Sequence, residues 1–423
     1  YLIIDEYDNF SNQLVLVQDE GLYEELTSKD SFFKTFFKVI KAGTESGAIG
    51  RVFITGVLPI TIDDLTSGYN IAEIVTLETE FSSMLGFTEN ETQTYLESLT
   101  EQYHFDSGII KTISPLIKSY YNGYRFHAKQ ETIYNSTIIS YFLKKLIMGN
   151  GEIPRESIDT NLRPDLSWLK RLTRHEADTK ELLDKLMFNS RLEYDQNRLA
   201  AKFNARQFFD KAYYPVSLFY LGMLTIEDDF WMTLPNQTIK EIVIDYYNEI
   251  NRIYTVDGYA RHFEKFLKDL DLSKLFAAYW NHYVGQIPAQ AADKVNENFY
   301  RSTFYELCKR YLSRNFIFTI EMNYPSGRSD WEMTGKYKTP YENIRYLVEF
   351  KHFRVEESRR KKLDILESPF PEDLAQLSKY ELDILQTFPK NKITKFVIYT
   401  IGSQNYRFFR VEEKRKSPQK IIA

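Results

Sequence analysis

The chain has 423 residues, enough for roughly two to four domains, and 43% of them are hydrophobic, with 31 Tyr and 31 Phe to fill cores. A net charge of −5 excludes a chain that is basic throughout, so any nucleic-acid site must be a local patch. The single cysteine, Cys308, excludes an internal disulfide and is expected to be a buried, inert thiol. There is no Cys/His cluster for zinc, and no apolar stretch is long enough to span a bilayer. No membrane partner and a cytoplasmic location are therefore expected.

The chain opens on YLIIDE, an apolar run ending in Asp5 and Glu6, as a strand buried in a parallel sheet does. A helical pattern over 31–41 leads to RVFITGV at 51–57, a second buried strand. Thr55 stands at its C-terminal end, where open α/β sheets place ligand-contacting residues. Thr88-Glu89-Asn90-Glu91 is a capping box that opens a helix. Asn122-Gly123 marks a turn, and GNGEIP at 149–154 reads as a loop and a domain boundary. A dense apolar face predicts a helix over 206–221, ended by Gly222. Strands at 223–226 and 230–234 form a hairpin around Glu227-Asp228-Asp229, and Pro235-Asn236 caps a helix over 238–253. This order is similar to a winged helix, with an acidic tip that favours packing or regulation over DNA binding. Two more helices are expected over 259–287, then a linker at 288–292.

Beyond the linker, Tyr300, Phe304, Leu307 and Tyr311 fall on one face of a helix that Glu297 extends at its start. NFIFTIEM at 315–322 alternates as a half-buried strand does, and YLVEF at 346–350 is an apolar run broken by Glu349. A carboxylate there is costly to desolvate unless something positive meets it. Lys351, two residues on, shares Glu349's face of the pleat. Asp330 follows the turn at Pro325-Ser326-Gly327 and reaches Glu349 if SDWEM pairs beside YLVEF. Two carboxylates and a lysine at one strand edge suit Mg²⁺- or Mn²⁺-assisted phosphodiester hydrolysis. The acids serve as hard oxygen ligands and the lysine polarises water or phosphate. A helix over 371–388 carries Gln376 and Tyr380 on one face, and strands follow at 394–401 and 405–411. Lys351, His352, Arg354, Arg359, Arg360, Lys361 and Lys362 gather positive charge, either as a solvated helix face or as a phosphate-backbone grip. Lys414-Arg415-Lys416 reads as a disordered end.

Asp330…Glu349-Phe350-Lys351, followed by QLSKY at 376–380, resembles the PD-(D/E)XK nuclease superfamily. The order helix, three strands, helix, two strands matches that superfamily's core. The resemblance implies a restriction-endonuclease-like α/β domain in which Asp330 and Glu349 bind Mg²⁺ or Mn²⁺, with the Phe350 carbonyl as a further ligand. It also implies that Lys351 orients the water or meets developing phosphate charge. Glu297 completes the metal shell through water, and Gln376 and Tyr380 position the acids or the strand. The segment from about 293 to 412 is expected to fold alone.

IIDEYD, the run from FKVIKAG to YNIA at 37–72, MLGFTENE, YYNGYRF and IYNSTIISYFL resemble a bacterial family of predicted AAA-ATPase-like proteins. Its members commonly end in a PD-(D/E)XK domain. In that family YLIIDE is the Walker B strand. Asp5 organises Mg²⁺, Glu6 polarises the attacking water, and Thr55 is the polar sensor of the γ-phosphate. The GxxxxGK[ST] loop that holds the phosphates belongs upstream of this strand and is not among the 423 residues. The sequence is thus expected to be a fragment, with ATP and Mg²⁺ bound only in a longer parent protein.

The combined expectation is a multidomain α/β chain. A partial P-loop NTPase parallel sheet spans 1–85, a helical lid 86–150 and a winged-helix-like region 151–255. A helical connector spans 256–290, the restriction-endonuclease-like domain 291–412 and a tail 413–423. The expected activity is metal-dependent cleavage of nucleic acid, DNA in the first instance, coupled to an ATPase-like regulatory module. The alternative is an ATP-responsive binding or signalling protein with an inactive nuclease-fold platform. A third reading makes the C-terminal domain an assembly device. A homo-oligomer is compatible with all three.

Overall fold

The computed structural model describes residues 1–8, 32–57, 71–106, 108–154, 158, 166–200, 203, 205–256 and 258–411. Lys414, Arg415 and Lys416, with the whole expected tail 413–423, lie outside the described residues, as do 9–31 and 58–70 of the expected ATPase-like core. Two compact units divide the chain at 243/244, and the division passes by the loop at 149–154. Among the described residues no helix is long and apolar enough to cross a membrane.

The first unit opens with strands β1 (Leu2–Ile4) and β2 (Val52–Ile54), paired in parallel with Leu2 beside Val52 and Ile4 beside Ile54. Those four residues share one face of the pleat and pack, with Tyr7, on Phe37 and Ile40 of helix α1 (Phe32–Glu45). Helices α2 (Glu89–Gln102), α3 (Ile109–Tyr121) and α4 (Ser136–Met148) follow. The capping box at α2 forms as expected: the Glu91 N–H donates to Thr88 Oγ1 at 3.3 Å, and the Thr88 N–H donates to the Glu91 carboxylate at 2.8 Å. Next come α5 (Leu166–Thr173), α6 (Glu176–Asn189), β3 (Arg191–Glu193), α7 (Gln196–Ala200), α8 (Ala205–Phe208) and α9 (Tyr214–Tyr220). Strands β4 (Thr225–Ile226) and β5 (Trp231–Thr233) complete a small antiparallel sheet of order β3-β5-β4.

The helix expected over 206–221 is broken. Asp210 is extended and its carboxylate accepts the Ala212 N–H at 2.9 Å, starting a fresh turn before α9. A short polar side chain that bonds the backbone locally competes with helix continuation, and Pro215 in the first turn of α9 suits a new start. Asn236 then caps α10 (Gln237–Asn251) through the Ile239 N–H at 3.2 Å.

In the second unit α11 (Ala260–Asp269) and α12 (Leu272–His282) form where two helices are expected. The expected linker at 288–292 instead contains a helical turn, α13 (Ala289–Ala292). Helix α14 (Glu297–Leu312), capped by Asn296, leads into β6 (Phe316–Tyr324), β7 (Gly327–Gly335) and β8 (Ile344–Phe353). A short helix α15 (Val355–Arg360) and α16 (Pro371–Thr387) cross over to β9 (Lys392–Ile401) and β10 (Asn405–Val411). The sheet order is β10-β9-β8-β7-β6, with β8 and β9 parallel and the other neighbours antiparallel.

This sheet is covered on both faces. Leu347, Val397 and Tyr399 pack against Leu377, Tyr380 and Ile384 of α16. On the other face Phe304 of α14 stacks on Trp331 at 5.4 Å. The helices expected as a connector belong to this second layer. Phe276 of α12, fully buried, lies against Phe304, Phe350, Tyr406 and Phe408, with ring centroids 5.0 to 6.2 Å away. Phe266 of α11 meets Phe316 and Tyr346, and the Tyr346 hydroxyl donates to the Leu270 carbonyl at 3.0 Å.

Candidate active site

Strands β7 and β8 pair from Thr334–Arg345 up to Trp331–Val348, and there their ladder stops. Asp330 and Glu349 stand one step beyond the last pair. The Phe350 N–H, which has lost its partner across this fork, donates to Asp330 Oδ2 at 2.8 Å. Asp330 is thereby fixed to β8 by its side chain. Strand β8 does not splay with β7, because its pairing with β9 continues to Phe353–Ile401. The fork holds Glu349, 1% exposed, and the mostly buried Asp330 at one sheet edge.

Lys351 Nζ donates to Glu349 Oε1 at 2.7 Å, as the shared face of the pleat predicts. Glu349 Oε2 is buried and has no hydrogen-bond partner. Burial and the nearby Asp330 charge push Glu349 up to about 8, against the pull of Lys351. Burial works downward on Lys351, yet the Glu349 charge and hydrogen bond carry it well above the ordinary lysine range. The two shifts pull against each other, since a neutral Glu349 would give Lys351 nothing to pair with. The 2.7 Å contact favours the ionised pair, and the push on Glu349 comes from its burial first and the Asp330 charge second.

Glu297, in the first turn of α14, is also pushed up, by burial and then by Asp330, while Lys351 and Arg301 pull it down. It is within electrostatic reach of the same cluster. Among the described residues there is no group of three or more His, Cys, Asp or Glu side chains that could hold a metal ion. Glu297 therefore stands outside a direct ligand set, and Asp330 with Glu349 is a two-carboxylate pair. Such a pair fits a hard divalent cation that keeps much of its water, and the orphaned Glu349 Oε2 is a free ligand atom for it.

Gln376 and Tyr380 meet as their spacing predicts: Gln376 Nε2 donates to Tyr380 Oη at 2.6 Å. The phenol O–H donates to the Arg328 carbonyl at 2.8 Å, two residues before Asp330. Just beyond, the Ser326 N–H donates to Asp383 Oδ2 at 3.0 Å, so α16 clamps the β6–β7 hairpin at two points. Contact is thus with the strand and not with the acids themselves. Tyr380→Phe removes the buried donor to Arg328; a loss of about 1–2 kcal/mol in urea unfolding is expected, with Gln376→Ala costing less. Equal stability of wild type and Tyr380→Phe would count against the clamp.

Two features escaped the sequence reading. Arg301 reaches Asp330 Oδ1 through Nη1 at 3.1 Å; its only sequence signal is a position four residues after Glu297 on the same helix face. Asp373, buried at the start of α16, accepts a hydrogen bond from Tyr399 and adds to the charge acting on Glu349. The cations Arg354, Arg359, Arg360, Lys361 and Lys362 are exposed on and around α15.

In the first unit Asp5, Glu6 and Thr55 meet at the C-terminal ends of β1 and β2. Thr55 Oγ1 donates to Asp5 Oδ1 and accepts the Glu6 N–H at 3.4 Å. Asp8, fully buried, receives the Val57 N–H on both oxygens.

The family model described as PD-(D/E)XK nuclease superfamily matches residues 295–409, and the one described as Predicted AAA-ATPase matches residues 1–66. Neither a curated protein nor a solved structure matches the chain.

Proposed function

We propose that the C-terminal unit hydrolyses phosphodiester bonds in nucleic acid, DNA in the first instance, with a divalent metal ion held by Asp330 and Glu349. The observation that carries this is the forked sheet edge with two adjacent buried carboxylates, one oxygen of which has no partner, and a lysine bonded to the second. A bound Mg²⁺ or Mn²⁺ would supply Lewis-acid polarisation of the scissile phosphate and a more acidic water. Lys351, about one-third exposed, can orient the nucleophile or meet charge developing on the phosphate. In this reading Glu297, within electrostatic reach of Asp330, would accept hydrogen bonds from metal-bound waters, and the Phe350 carbonyl would be a further ligand. Tyr380 and Gln376 hold the strand that carries Asp330. The exposed cations at 354–362 are a backbone grip beside the cleavage position.

The first unit is read as an ATPase-like regulatory module, with Asp5 and Glu6 as the Mg²⁺- and water-directed acids of a Walker B strand and Thr55 as sensor. Support comes from the parallel β1–β2 pair and, at its end, from the Asp5–Thr55 side-chain hydrogen bond, with the Glu6 backbone N–H donating to the same Thr55 hydroxyl. The run α6, β3, α7, α8, α9, β4, β5 with sheet order β3-β5-β4 supports a winged-helix reading of this region. Helix α9, which leads into the hairpin, has Tyr214, Val216, Ser217, Leu218 and Phe219 buried, and the hairpin tip carries exposed Glu227, Asp228 and Asp229. A buried helix and an acidic tip suit packing rather than entry into a DNA groove. An inactive nuclease-fold platform is the second reading, favoured if the Arg301–Asp330 pair is permanent.

The deciding measurement is cleavage of single- and double-stranded DNA and RNA with Mg²⁺, Mn²⁺ or EDTA. Cleavage that appears with either metal and disappears with chelator is expected. Cleavage indifferent to EDTA, or none on any of the four substrates, sinks the metal-dependent reading.

A further inference from the structure

We propose that Arg301 is an internal counter-cation for Asp330 that a divalent ion must displace, so that metal loading is a competition between the guanidinium and the ion. This rests on the nuclease reading only in taking Asp330 as a ligand. Arg301 is 6% exposed. Its Nη1 donates to Asp330 Oδ1 at 3.1 Å, while Nη2 donates to Glu321 Oε1 at 2.9 Å and Asn298 Oδ1 at 3.2 Å. Nε is buried and has no hydrogen-bond acceptor, so the fork of donors is not fully housed. A guanidinium and a divalent cation cannot share one carboxylate oxygen without strong like-charge repulsion at this depth.

Glu321 makes the displacement feasible. It sits within β6 at φ 55°, a left-handed conformation that a non-glycine residue adopts at some cost. The β6–β7 ladder steps over it, from Ile320–Trp331 to Met322–Ser329. Held there, its carboxylate bonds the same arginine that bonds Asp330, and it also lies 3.6 Å from the exposed Arg328. An Arg301 side chain leaving Asp330 therefore keeps Glu321 and Asn298. The move shifts a buried charge between partners and does not strand it, which is what makes breaking a buried pair so unfavourable elsewhere.

The test is Mn²⁺ titration of the full chain by calorimetry, without nucleic acid. Arg301→Gln should tighten Mn²⁺ on the order of tenfold or more, by removing a competing charge. Arg301→Lys, which keeps the charge, should stay within a few-fold of wild type. Glu321→Gln should shift affinity the opposite way, because Arg301 then loses its second anchor and holds Asp330 harder. In the melting curve the gap between Mn²⁺ and EDTA should widen in Arg301→Gln, whose metal-free form has lost the counter-charge. An arginine with a merely structural role would loosen Mn²⁺ in both variants. Arg301→Gln that is folded by circular dichroism but binds Mn²⁺ no better than wild type overturns the inference, as does tighter binding by Glu321→Gln. Asp330→Ala separates the two levels. If it abolishes Mn²⁺ binding while Arg301→Gln changes nothing, only the counter-cation role falls. If it leaves Mn²⁺ binding unchanged, both this inference and the metal-dependent reading fall.

Discussion

Asp330→Asn is expected to abolish metal-dependent cleavage, by about 10³-fold or more, while the chain still folds with some loss of stability, since Arg301 loses one carboxylate but keeps Glu321 and Asn298. The replacement keeps the shape of the side chain, and its amide oxygen can still accept the Phe350 N–H that closes the fork. What it removes is the anionic oxygen that a hard cation requires. Lys351→Met should also remove cleavage, by roughly 10²-fold or more, yet leave Mn²⁺ bound, since an ammonium is no ligand. Methionine retains the apolar stem of a side chain that is two-thirds buried, so the loss reports on charge rather than packing. Glu349→Gln should behave differently again, losing cleavage and some stability together, because Lys351 would then lose its buried carboxylate partner. Rates are measured by gel assay on the substrate that wild type cuts, stability by urea unfolding. Undiminished cleavage by Asp330→Asn would put the active site elsewhere in the chain.

The pair of acids and the lysine were legible in sequence because each is a local anomaly: a carboxylate inside an apolar strand, a lysine in phase with it, an aspartate just after a turn. The pairing of β7 with β8, which ends at Trp331–Val348, then leaves Asp330 and Glu349 side by side one step beyond it, which pattern reasoning could state only as a condition. Strands β6, β9 and β10 and helices α14 and α16 formed close to their expected bounds, since period-2 and period-3.6 patterns there are strong and Pro371 starts α16, whereas β8 runs beyond the expected 346–350 to Ile344–Phe353. Arg301 was not legible. A single arginine on an amphipathic helix reads as solvated surface, and only the fold brings β7 and the strained Glu321 beneath it. The break at Asp210 was missed because the local side-chain bond that ends one helical stretch and starts another leaves the apolar periodicity intact. The role of α11 and α12 was missed for a similar reason. An amphipathic helix pair shows that it has an apolar face but not which surface that face covers.

That last point carries a large expected effect. The part of the chain matched as a nuclease domain begins at 295, but one face of its sheet is only partly covered without the helices before it. Phe276 is fully buried among Phe304, Phe350, Tyr406 and Phe408, which come from α14, β8 and β10. Tyr279 beside it donates or accepts a hydrogen bond with Thr303 of α14 at 2.6 Å. A buried aromatic ring removes about 150–250 Å² from water, worth roughly 4–6 kcal/mol at about 25 cal/mol per Å². Phe276→Ala in the full chain should therefore destabilise the second unit by about 3–5 kcal/mol, since the surrounding rings cannot collapse fully into the space left. Starting the chain near 293 removes Phe266, Phe276 and Tyr279 together and bares the faces of Phe304 and Phe350. Such a fragment should unfold without cooperativity or aggregate, whereas one beginning at 244 and ending at 411 should unfold in a single transition by circular dichroism in urea. Equal unfolding midpoints for the two fragments would show that α11 and α12 are a true connector, and that the domain begins where the family match begins.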